Sequence, residues 1–191
     1  MKRLYNWTMS MADHPYAMWV LVVVAFAESS FFPIPPDILM IPMIIARPSK
    51  AFFIAGVAMA ASVVGGLLGY AIGALAFEQI GRPILEMLGK GDAALEFNAR
   101  FNDLGFWPVL IAGLTPFPYK VITIMSGWTG MPLGTFIITS IIARGGRFFI
   151  VAGLLWKFGD PIRDFIEKRL GLAFTVFLAV LLGGFALVRF I

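Results

Sequence analysis

Apolar residues along this chain are grouped into stretches of two lengths. A helix needs about 20 apolar residues to cross a bilayer. Stretches that meet this requirement lie at residues 51–76, 133–156 and 172–191. Shorter ones, which cannot span a bilayer alone, lie at residues 17–27, 38–46, 106–114 and 121–125. The pattern predicts an all-α integral membrane protein with three spanning helices and four half-length helices.

The half-length helices are paired around two proline-rich breaks. Pro33, Pro35 and Pro36 interrupt the first pair, and Pro116 and Pro118 interrupt the second. Proline lacks a backbone N–H donor and disfavours helix in the residue before it, so neither helix can continue through its break. We expect each pair to form a re-entrant hairpin, whose broken backbone is tolerated at membrane depth only where protein or a polar cavity satisfies it. The two breaks are therefore expected to line a site.

The two halves of the chain resemble each other. When Asp37 is aligned with Lys120, the prolines of the two breaks coincide, and a weak similarity continues into the long helix after each break. A hairpin makes no net crossing and the helix after it crosses once, so the second half must begin on the opposite side of the bilayer. This parity predicts an inverted repeat, an arrangement typical of secondary transporters. Chance similarity between proline-rich apolar segments is the alternative.

The chain is expected to form a single membrane domain over residues 1–191. Between its halves, charged residues are interspersed with leucines and phenylalanines, which indicates an amphipathic connector on the surface. Gly81 and Gly89 are expected to divide this connector into short helices. In chain order, the parts are a first half at 15–76, the connector at 77–105, a second half at 106–157 and a C-terminal spanning helix at 172–191.

Composition excludes several classes of protein. The chain is 60% hydrophobic and 14% charged, which is far from the balance of a soluble domain. It has no cysteine, and its single histidine, His14, belongs to no cluster with ligand spacing, so we expect no metal site, no cofactor and no enzymatic activity. The net charge of +4 is spread along the chain, so we expect membrane lipids and not nucleic acid as partners.

Two carboxylates lie next to the first break. Glu28 ends the first apolar stretch, and Asp37 follows the prolines. A charge near the bilayer centre costs several kcal/mol unless it is paired or hydrated, so its presence there favours a functional role. Burial and nearby cations shift the protonation of a carboxylate in opposite directions, which suits proton-coupling or gating groups. The alternative is that both carboxylates lie at the membrane interface and cap helix ends.

Three cations accompany the second break. Lys120 lies in the break, and Arg144 and Arg147 share one face of the following helix because they are three residues apart. A guanidinium binds phosphate through two N–H groups, whereas lysine provides a compact charge. The three cations could bind an anionic phosphate headgroup, or neutralise the two carboxylates, or do each in alternate states. A static charge network, or arginines that snorkel to the interface, is the alternative.

A stripe of small residues follows the first long helix. Gly65, Gly69 and Gly73 recur every four residues, so one face of this helix is nearly bare backbone. Small residues at this spacing let another membrane helix approach closely. We expect close packing within the protein, with a homodimer interface as the alternative.

Taken in order, these residues resemble the DedA family, whose members carry the VTT or SNARE-associated domain, and most of all its short YqaA-type branch. The resemblance covers residues 17–190 and rests on the segments Glu28 to Asp37, Gly65 to Gly73, Pro116 to Lys120, Ser126 to Trp128 and Arg144 to Phe149. It implies two re-entrant loops that face each other in an inverted repeat. It also implies movement of lipids between leaflets, including the undecaprenyl phosphate carrier of bacteria, and a role in envelope homeostasis linked to the proton-motive force.

By this resemblance, Glu28 and Asp37 take the place of the family's essential acidic pair, and Lys120 takes that of the basic residue in the second loop. Two positions depart from the family. The chain has Leu114 where better-known members carry a further arginine, and Lys120 stands where they carry arginine. Both departures concern the cationic part of the site, so the resemblance does not extend to the identity of the carrier lipid.

The function expected from these features is that of a transporter or scramblase, with or without proton coupling. It would move the headgroup of a phospholipid or polyprenyl phosphate between leaflets and contribute to envelope homeostasis. We expect a multi-pass protein of the bacterial inner membrane with lipids and protons as partners. The sequence is compatible with a homo-oligomer as well as with a monomer. A small-ion or proton-coupled solute transporter and a non-transporting membrane scaffold are the alternatives.

Overall fold

The computed structural model describes residues 16–32, 34–87, 91–115 and 117–188, and in the last helix it describes side chains as far as Gly159. Within these ranges all regular structure is helical, so the all-α prediction is confirmed. In chain order, the helices are α1 (Ala17–Ser30), α2 (Asp37–Ala46), α3 (Ala51–Ala76), α4 (Arg82–Met87), α5 (Gly91–Asp103), α6 (Trp107–Leu114), α7 (Tyr119–Trp128) and α8 (Leu133–Val188). A 3₁₀ turn (Pro48–Lys50) leads into α3, and a π-helical turn (Phe77–Gly81) follows it.

Two helical segments are long and apolar enough to cross a membrane. They are Pro48–Ala76, with 29 residues, and Leu133–Gly159, with 27 residues. At 1.5 Å of rise per residue, each exceeds the thickness of about 30 Å of a bilayer's hydrocarbon core. The first two long stretches of the sequence therefore form helices of spanning length.

The last helix differs from the prediction. A separate C-terminal helix is expected at 172–191, but α8 runs without interruption from Leu133 to Val188. Pro161 lies inside it and removes only one backbone hydrogen bond, and about half of the residues after Pro161 are good helix formers. Continuing an existing helix needs no new nucleation, so a single proline does not end it. Residues 189–191 lie outside the described part of the chain.

Both short pairs are interrupted where the prolines predict. Residues between α1 and α2, and between α6 and α7, are non-helical where the structure describes them. Pro36 is the N-cap of α2 and Pro118 the N-cap of α7, positions at which a missing N–H donor costs no helical hydrogen bond. Pro35 lies one residue earlier in the first break. Pro33 and Pro116, also predicted to interrupt the helices, lie outside the described residues.

Helix α3 is the centre of the packing, and its glycine stripe is the contact surface. A Cβ atom on Gly65 would overlap the carbonyl oxygen of Phe26 in α1, and one on Gly73 would overlap that of Ile124 in α7. Gly69 lies between the two and faces Ser29 as well as Thr123. The stripe therefore packs inside the protein. The first pair of half-length helices contacts one end of it, and the second pair contacts the other end.

Two buried apolar clusters flank this contact. One joins the first pair to α3 and α8 and includes Leu21, Met40, Ile54 and Phe148, all buried. The other joins the second pair to the start of α8 and to the connector helix α5. Each broken pair thus has its own apolar support, and the polar residues lie between the two clusters.

The connector packs onto the end of α7. The ring of Phe97 in α5 stacks on Trp128 with centroids 5.1 Å apart, and Phe77 contacts the same indole at 5.0 Å. The side-chain amide of Asn102 donates to the carbonyl oxygen of Thr129 over 2.8 Å. The apolar face of α5 is thus covered by the second half of the chain, as its amphipathic pattern predicts.

Candidate functional site

The polar centre of the molecule is built where the two breaks meet α3 and α8. Glu28 lies in the last turn of α1, and Asp37 is the first residue of α2. Tyr119 and Lys120 begin α7, directly after the second break. The helix α8 contributes two arginines one turn apart. All five charged residues singled out in the sequence therefore lie near the breaks.

The first ion pair is sealed inside the protein. Nη2 of Arg144 lies 2.6 Å from Oε2 of Glu28, and the two side chains are 1% and 11% exposed. Nε of Arg144 donates to Oγ of Ser62 over 2.6 Å. The hydroxyl of Ser29 donates to Oε2 of Glu28 over 3.1 Å and lies 2.6 Å from the hydroxyl of Ser62. These contacts close a ring of hydrogen bonds that joins α1, α3 and α8.

Aromatic rings cover the remaining faces of this pair. The guanidinium carbon of Arg144 lies 4.8 Å from the ring centroid of Tyr119 and 4.7 Å from that of Phe148. A cation held over two ring faces gains electrostatic attraction that partly replaces its lost hydration. A buried charge is costly unless it is paired and hydrogen-bonded, and Arg144 meets both conditions. This arginine is therefore fixed on several sides.

Glu28 also reaches the start of α7. The backbone N–H of Tyr119 points at Oε1 of Glu28, with nitrogen and oxygen 3.4 Å apart. A carboxylate at a helix N-terminus is stabilised by the unpaired N–H groups there. The phenol of Tyr119 donates to Ser140 over 2.7 Å, and the hydroxyl of Thr123 donates to the carbonyl oxygen of Ser29 over 2.9 Å. The end of α1 is thus bound to the start of α7.

The second ion pair is more open. Nη2 of Arg147 lies 2.6 Å from Oδ2 of Asp37, and the side chains are 15% and 17% exposed. Nη1 of Arg147 donates to the carbonyl oxygen of Thr115, the C-cap of α6, over 2.7 Å. One guanidinium therefore contacts the residue after the first break and the residue at the beginning of the second.

Lys120 provides a third link between the breaks. Its ammonium donates to the carbonyl oxygen of Phe31, the C-cap of α1, over 3.4 Å. It forms an ion pair with no carboxylate among the residues that the structure describes. Lys120 and Arg147 thus both bind carbonyl oxygens at the C-terminal ends of half-length helices, where cations are favoured.

The structure brings all the predicted charged residues together, and it adds polar partners that the sequence analysis did not select. Ser29, Ser62, Tyr119, Thr123 and Ser140 hold the charged groups in place. Ser62 and Ser140 are polar residues inside apolar helices, a signal that could have identified them. Nothing in the sequence pattern indicates that the ring of Tyr119 covers an arginine.

Comparison with known proteins places the chain among related sequences. The family model described as the VTT domain matches residues 32–157. An uncharacterized protein of Haemophilus influenzae is 38% identical over 168 residues, which cover 86% of this chain and 87% of that protein. A second uncharacterized protein, from Histophilus somni, is 39% identical over 171 residues, with the same coverage of both chains. No solved structure matches the chain significantly.

Proposed function

Because the chain belongs to the VTT domain family, which is the DedA family, we propose that it moves a lipid headgroup between the leaflets of a membrane. The family is membrane-associated and broadly linked to transport or envelope function. The substrate class that fits the site is an anionic headgroup, either a phospholipid or a polyprenyl phosphate. The protein would act as a transporter or scramblase in the bacterial inner membrane and contribute to envelope homeostasis.

The observation that supports this proposal most is the contact of Arg147 with both breaks. Its guanidinium pairs with Asp37 over 2.6 Å and donates to the carbonyl oxygen of Thr115 over 2.7 Å. Lys120, which follows the second break, adds a second cation and donates to a carbonyl oxygen at the first break. An anionic headgroup that passes between two hairpins would meet these cations at the point where the broken segments approach each other.

In the proposed mechanism, Lys120, Arg144 and Arg147 form the cationic site, while Glu28 and Asp37 act as proton-coupling or gating groups. Each arginine has a carboxylate partner at 2.6 Å. Protonation of a carboxylate removes its attraction for the arginine, so a proton could release a guanidinium for a phosphate. Transfer of a headgroup would then be linked to transfer of a proton.

The proposed architecture has two re-entrant hairpins in an inverted repeat. This can be tested by cysteine labelling, because the chain has no cysteine of its own. Single cysteines at Pro35 and Pro118 should have similar depth in the membrane, and residues flanking each break should be labelled from one side. Flanking residues labelled from opposite sides would show a continuous span and contradict the hairpins.

Function is tested by reconstitution into vesicles of defined lipids, with leaflet exchange of labelled anionic and zwitterionic lipids as the measurement. Arg147→Lys should impair exchange although it keeps the charge, because lysine lacks the planar fork that binds phosphate through two N–H groups. Arg144→Gln should reduce exchange of anionic lipid more than of zwitterionic lipid. Equal loss for every lipid, in step with a lower melting temperature, would show that the arginines only hold the fold.

A second candidate function, a non-transporting scaffold, is favoured by one observation. The pair of Glu28 with Arg144 is neutralised and almost fully enclosed, as in a static core. Absence of exchange by the folded wild-type protein would favour this candidate. Proton or ion flux without lipid exchange in the same vesicles would instead indicate a small-ion or proton-coupled solute transporter.

A further inference from the structure

The two arginines of α8 differ in how accessible their guanidinium groups are to an incoming anion. Arg144 is 1% exposed and is held by Glu28, by Ser62 and by two aromatic rings. Arg147 is 15% exposed, and its one charged partner among the described residues is Asp37. In this conformation an anion from outside the protein can therefore contact Arg147 but not Arg144.

The carboxylate of Asp37 binds only one of the two terminal nitrogens of the Arg147 guanidinium. One carboxylate oxygen, Oδ2, accepts from Nη2, while Nη1 donates to the carbonyl oxygen of Thr115. Guanidinium groups bind carboxylate and phosphate most strongly when two N–H groups donate in parallel to one anion. A phosphate that accepts from both nitrogens would replace two single contacts, one to Asp37 and one to the carbonyl oxygen of Thr115, by one bidentate contact. Asp37 would then be displaced.

The charges around the breaks are not balanced, and one further negative charge would neutralise them. Lys120, Arg144 and Arg147 carry three positive charges, and Glu28 and Asp37 carry two negative charges, so the five groups have a net charge of +1. A phosphodiester headgroup carries one negative charge. Lys120 has a carbonyl oxygen as its partner in the first break, and its ammonium is free of described carboxylates.

From these contacts we propose that Asp37 is an internal competitor of the substrate. Its carboxylate occupies the guanidinium of Arg147 until a phosphodiester headgroup takes its place, and it returns to expel that headgroup. This inference rests on the proposed function, since it concerns how the same site binds and releases an anionic lipid. Glu28 has no such role, because its partner Arg144 is enclosed.

Competition has an unusual consequence for mutants. Loss of the Asp37 charge removes the competitor, so the protein should bind an anionic headgroup more tightly than the wild type. Release should slow because nothing returns to Arg147, and leaflet exchange should fall. Loss of the Glu28 charge should not raise the affinity, because it leaves Asp37 paired with Arg147. Asp37→Asn is therefore compared with Glu28→Gln at a temperature below the melting transition of both variants.

The experiment measures binding of dihexanoyl phosphatidylglycerol to the full-length protein in a zwitterionic detergent, by isothermal titration calorimetry. Asp37→Asn should bind this lipid about tenfold more tightly than the wild type, a difference at the low end of the coupling between close charge pairs. Glu28→Gln should show no gain. Adding Arg147→Lys to Asp37→Asn should abolish the gain, because the vacated fork is lost. Dihexanoyl phosphatidylcholine is the reference for headgroup charge.

Each result bears on the proposal. Unchanged or weaker binding by folded Asp37→Asn, with lipid exchange intact in the wild type, overturns the competition but leaves the proposed function standing. Absence of both binding and exchange in the wild type overturns both. Melting temperature reports folding, and Asp37→Ser is a second variant with the same expected gain. If both variants unfold, Asp37 holds the structure and does not compete.

Discussion

Two arginine–carboxylate ion pairs lie one helical turn apart on α8, and they differ most in their surroundings. Both join an arginine to a carboxylate oxygen over 2.6 Å. The pair of Glu28 with Arg144 is enclosed by hydroxyls and aromatic rings, whereas the pair of Asp37 with Arg147 lies at the edge of the breaks. Electrostatic attraction is stronger away from water, and an enclosed charge can exchange its partner only when the packing around it opens. Burial therefore distinguishes a pair that an anion cannot reach in this conformation from one that it can reach.

The glycine stripe of α3 accounts for the difference. It lets α1 and α7 approach α3 until backbone meets backbone, which puts Ser62 within hydrogen-bonding distance of Ser29 and Arg144. Asp37 lies beyond this contact, at the start of α2 after the prolines. The comparison can be tested by removing the charge of Glu28, by disturbing the packing around the Glu28–Arg144 ion pair, and by removing the charge of Asp37.

The largest effect is expected for Glu28→Gln. This change leaves the Arg144 charge enclosed without a counter-charge, and breaking a buried pair costs about 3–5 kcal/mol of folding free energy. Thermal melting in one detergent should show a large decrease in stability, together with loss of lipid exchange. The double variant Glu28→Met with Arg144→Met is the control, because it removes both charges and should recover most of the stability. A melting temperature equal to that of the wild type would mean that water reaches this pair.

A smaller decrease is expected for Gly69→Ala. The added Cβ would overlap the hydroxyl of Thr123 and lie 2.9 Å from the carbonyl oxygen of Ser29. Forcing α3 away from its neighbours costs about 1–3 kcal/mol, as overpacking usually does, and should expose the enclosed pair. The matched control is Gly153→Ala in α8, where a Cβ meets nothing within 4 Å. Similar melting temperatures for the two variants would contradict close packing at the stripe.

Tyr119→Phe should have a still smaller effect. It removes the 2.7 Å hydrogen bond to Ser140 but keeps the ring against the guanidinium of Arg144. Loss of one buried hydrogen bond costs about 1 kcal/mol. Tyr119→Leu removes the ring as well and should be clearly less stable when both are melted in the same detergent. Equal stability of the two variants would assign no role to the cation–π contact.

The smallest change in stability is expected for Asp37→Asn. This pair is less buried than that of Glu28 with Arg144, and fully exposed ion pairs contribute only about 0 to 1 kcal/mol, so the melting temperature should fall least for this variant. Lipid exchange should nevertheless be lost, because Asp37 is the proposed gating group. This combination separates function from stability. A large decrease in melting temperature would place Asp37 with Glu28 as a structural residue.

Much of the fold follows from local features of the sequence. Hydropathy and length are properties of single segments, and they identify the two helices of spanning length. Prolines act on their own backbone and on the residue before it, so the two breaks can be located without a structure. The end of α8 could not be predicted in this way, because Pro161 neither required nor prevented a helix boundary.

The charged site, too, could be predicted from the sequence only in part. Five ionisable residues in apolar surroundings could be selected from the sequence, because an ionised side chain in a membrane must have a compensating partner. Their partners could not be chosen, because Arg144 and Arg147 lie on one helical face and either could pair with either carboxylate. Only the packing of α1 and α7 against the glycine stripe decides that Glu28 pairs with the enclosed arginine and Asp37 with the accessible one. Pairing and burial depend on distances between segments far apart in the chain, whereas hydropathy and proline chemistry act within each segment.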